Sequence, residues 1–191
     1  SEFGIQETGL SMIIAVGFFT SFIAQLTIAP YADRGHARKL MTVGMAANAA
    51  GALFMAFGSS LPTFLLGRFI MGVGAGIAIP AIKRIVIVSD PENMGGNLGR
   101  GVSIEVGGFA IGPVIAALTV DSINLAAPFI LIAVLIAITG VIIARLSITE
   151  TAIEDRTDER FAIDLLKNRA VLGSILVGLA LFVMIGVYDS L

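Results

Sequence analysis

Polar side chains are sparse in this chain and fall in clusters, which leaves six long apolar stretches at residues 10–31, 40–58, 61–82, 101–120, 126–146 and 170–191. A stretch of about twenty apolar residues, wound as a helix, crosses the roughly 30 Å hydrocarbon layer of a bilayer. The pattern therefore predicts six membrane-spanning helices joined by polar connections. Within the stretches the few polar and small residues fall on faces. Gly17, Ser21 and Gln25 recur every four residues in the first, a spacing that suits either a packed helix face or the wall of a wet cavity. Asn48 is the strongly polar residue of the second. In the third, Arg68, Gly72, Ala75, Gly76 and Ile79 share a face, so one guanidinium heads a groove of small residues. Pro80 is expected to kink or interrupt that helix, and 89–100, with Asp-Pro and Gly-Gly, reads as a turn-rich loop. The fifth stretch is aliphatic all round, as expected of a structural wall facing lipid.

Composition turns this pattern into a class. With 57% hydrophobic and 14% charged residues and a mean hydropathy of +0.96, too little polar surface remains to dissolve six such helices in water. The fold class expected is all-α, a polytopic transmembrane helical bundle. The net charge of −2 is less informative than where the charges lie. Arg34, Arg38 and Lys39 follow the first stretch, and Lys83, Arg84 and Arg100 follow the third. Arg145, Arg156, Arg160, Lys167 and Arg169 lie around the connection between the fifth and sixth. The connections on the opposite side, 1–9, 59–60 and 121–125, carry no Lys or Arg. The positive-inside rule then puts the 33–39 turn in the cytoplasm and the N-terminus outside, as an integral protein of the membrane, a bacterial inner (cell) membrane being the expected one. No secretory signal peptide is expected, since a basic n-region is lacking.

Several chemistries drop out. With no cysteine and one histidine, neither a disulfide framework nor a thiolate or His-rich metal site is available. The Gly72-Val73-Gly74-Ala75-Gly76 run is not preceded by a strand, as a nucleotide-binding glycine loop would be. The spans hold no paired acids and no Ser-His arrangement, so no enzyme, cofactor or nucleic-acid partner is expected. The expected partner so far is the lipid bilayer.

Three motifs carry a resemblance. The turn Asp33-Arg34-Gly35-His36-Ala37-Arg38-Lys39 resembles the loop between the second and third helices of the major facilitator superfamily, roughly Gly-x-x-x-Asp-Arg-x-Gly-Arg-Lys. Here Ala29 replaces the first glycine, Gly35 comes one residue early and Ala37 occupies an arginine position. Arg68-x-x-x-Gly72-x-Gly74 resembles that family's fourth helix, and Gly108-x-x-x-Gly112-Pro113 its fifth, with Ala116-Ala117 in place of the last two glycines. The resemblance implies a partial major-facilitator fold. Residues 1–146 would be five spans of the N-terminal transmembrane bundle with the first family helix absent. Residues 147–169 would be a cytoplasmic linker with a short amphipathic helix, and 170–191 the first helix of the C-terminal bundle. A small-molecule substrate, protons and the remainder of the transporter would then be further partners.

The resemblance also implies roles. Asp33, Arg34, Arg38 and Lys39 would form a gating loop that bonds neighbouring helix ends in one state. Arg68, Glu105 and Asp189 would serve proton coupling or substrate. Gly72, Gly76, Gly108, Gly112 and Pro113 would form helix-packing motifs, and Ser21, Gln25 and Asn48 are cavity-lining candidates. For Glu105 the competing expectation is a simple ion pair with Lys83 or Arg84. The function expected is secondary active transport by alternating access, as proton-coupled export of small amphipathic compounds. The alternatives are a proton-coupled uptake symporter for a polar metabolite and a non-transporting receptor or scaffold on the same fold.

Overall fold

The structure, a computed structural model, describes residues 6–146 and, beyond them, Arg169, Leu172, Gly173, Leu176, Val177 and Ala180, which are helical. All regular structure among the described residues is helical. The linker reading, most of the sixth span and Asp189 lie outside the described residues. Five helices run α1 (Glu7–Tyr31), α2 (Ala37–Phe57), α3 (Leu61–Ser89), α4 (Met94–Ser122) and α5 (Ala127–Arg145). Each is long and apolar enough to cross a membrane. They fall in one compact unit, Ser1–Ile153, and the residues of Glu154–Leu191 form a second.

The helix ends follow local chemistry. Glu7 places a negative charge in the first turn of α1, at the positive end of its dipole. Between α1 and α2 the chain turns over five residues, and Gly35 takes a φ of 82°. Only glycine enters that region without a Cβ clash, which accounts for its place in the turn. Ser60 caps α3 in a reciprocal arrangement with Thr63, and Pro62 occupies its first turn, where a missing N–H costs nothing. Asn124 Oδ1 accepts from the backbone N–H groups of Ala126 and Ala127, both at 3.0 Å, and so opens α5.

Of the two outcomes expected at Pro80, a kink or an interruption, the interruption does not occur, and α3 runs through the proline to Ser89. Ala78 and Ala81, on either side of the proline, are buried against neighbouring helices, so packing compensates for the missing backbone bond. Nor is 89–100 a loop, since the break is confined to Asp90–Asn93 and α4 begins at Met94. Asp90 closes the junction by accepting from the Asn93 backbone N–H (3.3 Å), the Asn93 side-chain amide (3.1 Å) and Asn97 (3.0 Å).

Helices α1 and α2 are joined by a tight turn yet are not packed on each other. Helix α3 lies between them, and α5 covers the far side of α2. The spatial order is therefore α1, α3, α2, α5, with α4 only lightly attached to α3 and α5. The contact of α2 with α3 is made of reciprocal glycines. A Cβ built on Gly44 would lie 2.7 Å from the Gly74 carbonyl oxygen, and one on Gly74 would lie 2.6 Å from that of Gly44. Two turns away the same reciprocity joins Gly51 and Gly67. Between the two pairs Asn48 donates to the Met71 carbonyl at 3.4 Å. Two antiparallel backbones thus touch directly, as small residues allow inside a membrane.

Candidate functional site

The turn between α1 and α2 has to cross the end of α3, because α3 separates the two helices it joins. That crossing explains its alanines. Ala32 and Ala37 are 2% and 4% exposed and sit in one cluster with Met41 and Ala81. The arginine that the family pattern has at position 37 would have no room there. The polar side chains of the turn reach outward to two other helix ends. Asp33 meets Arg84 of α3 at 3.5 Å, both half-buried. Arg38 donates to the Ala144 carbonyl in the last turn of α5. The Leu146 N–H satisfies the Ile142 and Ile143 carbonyls of that last turn, and the negative end of the helix dipole favours a cation at the next one. Arg34 lies over the Tyr31 ring, 5.5 Å from its centre. Lys39 is exposed. The turn thus joins the ends of α1, α2, α3 and α5.

A second set of side chains lies between α1 and α3 in their other halves. Arg68 runs across Gly17, where a built Cβ would stand 2.7 Å from its Nε, 3.0 Å from Cγ and 3.1 Å from Cδ. One turn on, buried Thr20 donates to the Val16 carbonyl at 2.8 Å and also approaches the Phe69 carbonyl of α3 at 3.4 Å. Gly72 takes the Thr20 hydroxyl and the Gly17 carbonyl where a side chain would otherwise be, and Gly76 does the same for the Ser21 carbonyl and Ala24. Gln25 donates to the Ser21 hydroxyl at 3.3 Å. Gly17 and Ser21 therefore face α3, while Asn48 faces it from the opposite side, on α2. Arg68 itself makes no hydrogen bond or ion pair with a described residue.

The remaining expected residues are not gathered here. Glu105 is exposed on α4 and pairs with neither Lys83 nor Arg84. That correction has a simple reason, since Arg84 turns toward Asp33 and α4 leaves α3 after the Asp90 junction. Gly108 and Gly112 have nothing within 4 Å of a built Cβ, and no residue of α4 is buried. No group of His, Cys, Asp or Glu suited to a metal occurs among the described residues. Sequence reasoning missed three participants. Arg84 was read as a topology marker or a partner for Glu105 and not for Asp33, Thr20 was not singled out, and α5 was read as a wall although its Ala144 carbonyl receives Arg38.

The sequence model of the Major Facilitator Superfamily matches residues 1–190. No curated protein matches the chain, and no solved structure does.

Proposed function

The chain belongs to the major facilitator superfamily of membrane transporters, and we propose that its helices serve in the N-terminal bundle of a proton-coupled exporter of small amphipathic compounds. On this reading two bundles rock about a midplane site, and α1 to α5 belong to one of them. The basic turn faces the cytoplasm. The observation that carries the coupling role is Arg68, a guanidinium inside a span, laid against α1 without an ion-pair partner among the described residues. A charge at such depth costs at least ~2.5–3.5 kcal/mol, and such residues mark ion and substrate pathways.

The basic turn supplies the gate. Asp33 on Arg84 and Arg38 on the α5 terminus hold four helix ends together in this conformation. Release of those bonds lets the ends separate in the other. Glu105, exposed on α4, is the acid that would carry protons during the transport cycle. Export rather than uptake is favoured by the Gly108, Gly112, Pro113 motif of α4, whose face is free of neighbours among the described residues.

The test uses everted membrane vesicles that contain the transporter carrying this chain, an imposed pH gradient and a fluorescent lipophilic cation. Arg68→Gln is expected to abolish gradient-driven accumulation while downhill flux continues. Asp33→Asn keeps every cation, so topology is retained while both fluxes fall. Accumulation by Arg68→Gln at the wild-type level overturns the coupling role, and wild-type fluxes in Asp33→Asn overturn the gate.

A further inference from the structure

An arginine on a membrane helix has four free torsions and an open path to the headgroups, toward which such side chains extend their charge. Arg68 stands about 10 Å from the start of α3, within that reach. Nothing on α3 holds it, and no described residue bonds it. Its stem nevertheless lies flat on α1, with Cγ, Cδ and Nε all within 3.1 Å of where a Gly17 side chain would begin. We infer that Gly17 is the positioning residue for Arg68: its missing side chain is the slot that keeps the guanidinium between α1 and α3. This rests on the proposed coupling role of Arg68 and adds the residue that sets its geometry.

The surroundings decide what a side chain at Gly17 would do. One turn further along, α1 and α3 are locked backbone to backbone, with Gly72 against the Gly17 carbonyl and Thr20 on the Phe69 carbonyl. The helices cannot part to make room. The arginine stem can move, since the three atoms nearest the slot all belong to its flexible side chain. A methyl group at Gly17 therefore evicts Arg68 and leaves the helix pair assembled. No neighbouring charge recaptures it. Helix α1 has no Asp, Glu, Lys, Arg or His after Glu7, α2 has none after Lys39, and α3 has none between Arg68 and Lys83. On α4, which touches α3 lightly, the charged groups are Arg100, Glu105 and Asp121.

The experiment compares Gly17→Ala, Arg68→Gln and Gly140→Ala in the vesicle assay, the last being a control whose added methyl meets only an ordinary 3.6 Å contact. Gly17→Ala is expected to keep downhill flux near wild type and to lose gradient-driven accumulation roughly tenfold to hundredfold, the scale of a misplaced functional group. Arg68→Gln is expected to change the pH profile of transport as well, Gly17→Ala should reproduce that change, and Gly140→Ala should match wild type. Wild-type accumulation and pH profile in Gly17→Ala, with both changed in Arg68→Gln, overturn the positioning role and leave the coupling role intact. Wild-type behaviour of Arg68→Gln removes both. If Gly17→Ala does not fold, Gly17→Ala with Arg68→Ala decides: recovery of folded protein shows that the clash was with the arginine, and continued failure overturns the inference.

Discussion

Gly72 and Gly76 of α3 and Gly108 and Gly112 of α4 stand four residues apart on their helices, each pair on a face of small side chains. A Cβ built on either of the first two would strike the backbone of α1, whereas one built on either of the second two would meet nothing within 4 Å. Helix α3 uses glycine on both flanks, toward α1 through Gly72 and Gly76 and toward α2 through Gly67 and Gly74. It is the axis of the unit. Helix α4 exposes Ile104, Phe109, Val114 and Leu118 by more than half, around its circumference. In a bilayer, apolar side chains gain little by leaving lipid for a neighbouring helix, so association depends on close packing and a few polar bonds. Glycine spacing therefore marks a helix able to approach another closely. It does not say whether the partner lies within the same unit.

The sharpest way to break this contrast is Gly74→Ala. The added methyl would meet the Gly44 carbonyl oxygen at 2.6 Å and the Asn48 backbone nitrogen at 2.7 Å, and neither can move aside as a side chain can. Overpacking of this kind costs about 1–3 kcal/mol. Thermal unfolding in detergent is expected to show a clear loss of stability, with Gly44→Ala causing a similar loss because the contact is reciprocal. Unchanged melting of both variants would mean that α2 and α3 do not meet at these glycines.

How far the sequence revealed all this depends on the kind of signal. The spans were legible because a membrane helix must satisfy its backbone internally and present apolar side chains to lipid over its whole length. Their order in space was not, since helices apolar all round carry no amphipathic face to orient them. The glycine face of α3 was visible as a spacing, but its occupants, α1 on one side and α2 on the other, were not. In the basic turn the charged residues stood out, and their partners did not. Asp33 and Arg84 lie 51 positions apart, and the acceptor for Arg38 is a backbone carbonyl that no residue type announces. Ala37 looked like a loss from the family pattern, and only the crossing of α3 by the turn explains it. The stretch 89–100 was misread because its glycines and proline suggest a loop, while Asp90 and the two asparagines close the junction within a single turn.

A smaller effect, and of opposite sign, is expected from Gly112→Ala. The new methyl meets nothing within 4 Å, and alanine is favoured over glycine in a helix interior by roughly 0.5–1 kcal/mol. Melting of the purified protein should be unchanged or slightly raised. A loss comparable to that of Gly74→Ala would show that α4 is packed as tightly as α3 and would erase the contrast. Unchanged stability with impaired transport would sharpen it, by placing the use of the α4 face in a contact formed during the transport cycle.

The smallest effect belongs to the junction where the two helices meet. Asp90 lies outside the spans, and the Asn93 side-chain amide, followed by that of Asn97, holds its carboxyl below the usual carboxylate range. A carboxylate whose pKa is lowered by folding contributes stability that is fully present above its unfolded value, near ~3.9, and lost as pH falls through the folded value. The α3–α4 junction should therefore be indifferent to pH from neutral down to about 4 and loosen only below that. Because the chain has no cysteine, a single spin label at exposed Pro91→Cys reports the junction without background. Its mobility should rise below pH 4 in the parent, whereas in Asp90→Asn, which cannot ionise, it should be the same at pH 7 and pH 3. A parent label that loosens between pH 7 and 5 would instead implicate a group of higher pKa and remove Asp90 as the closure between the packed helix and the free one.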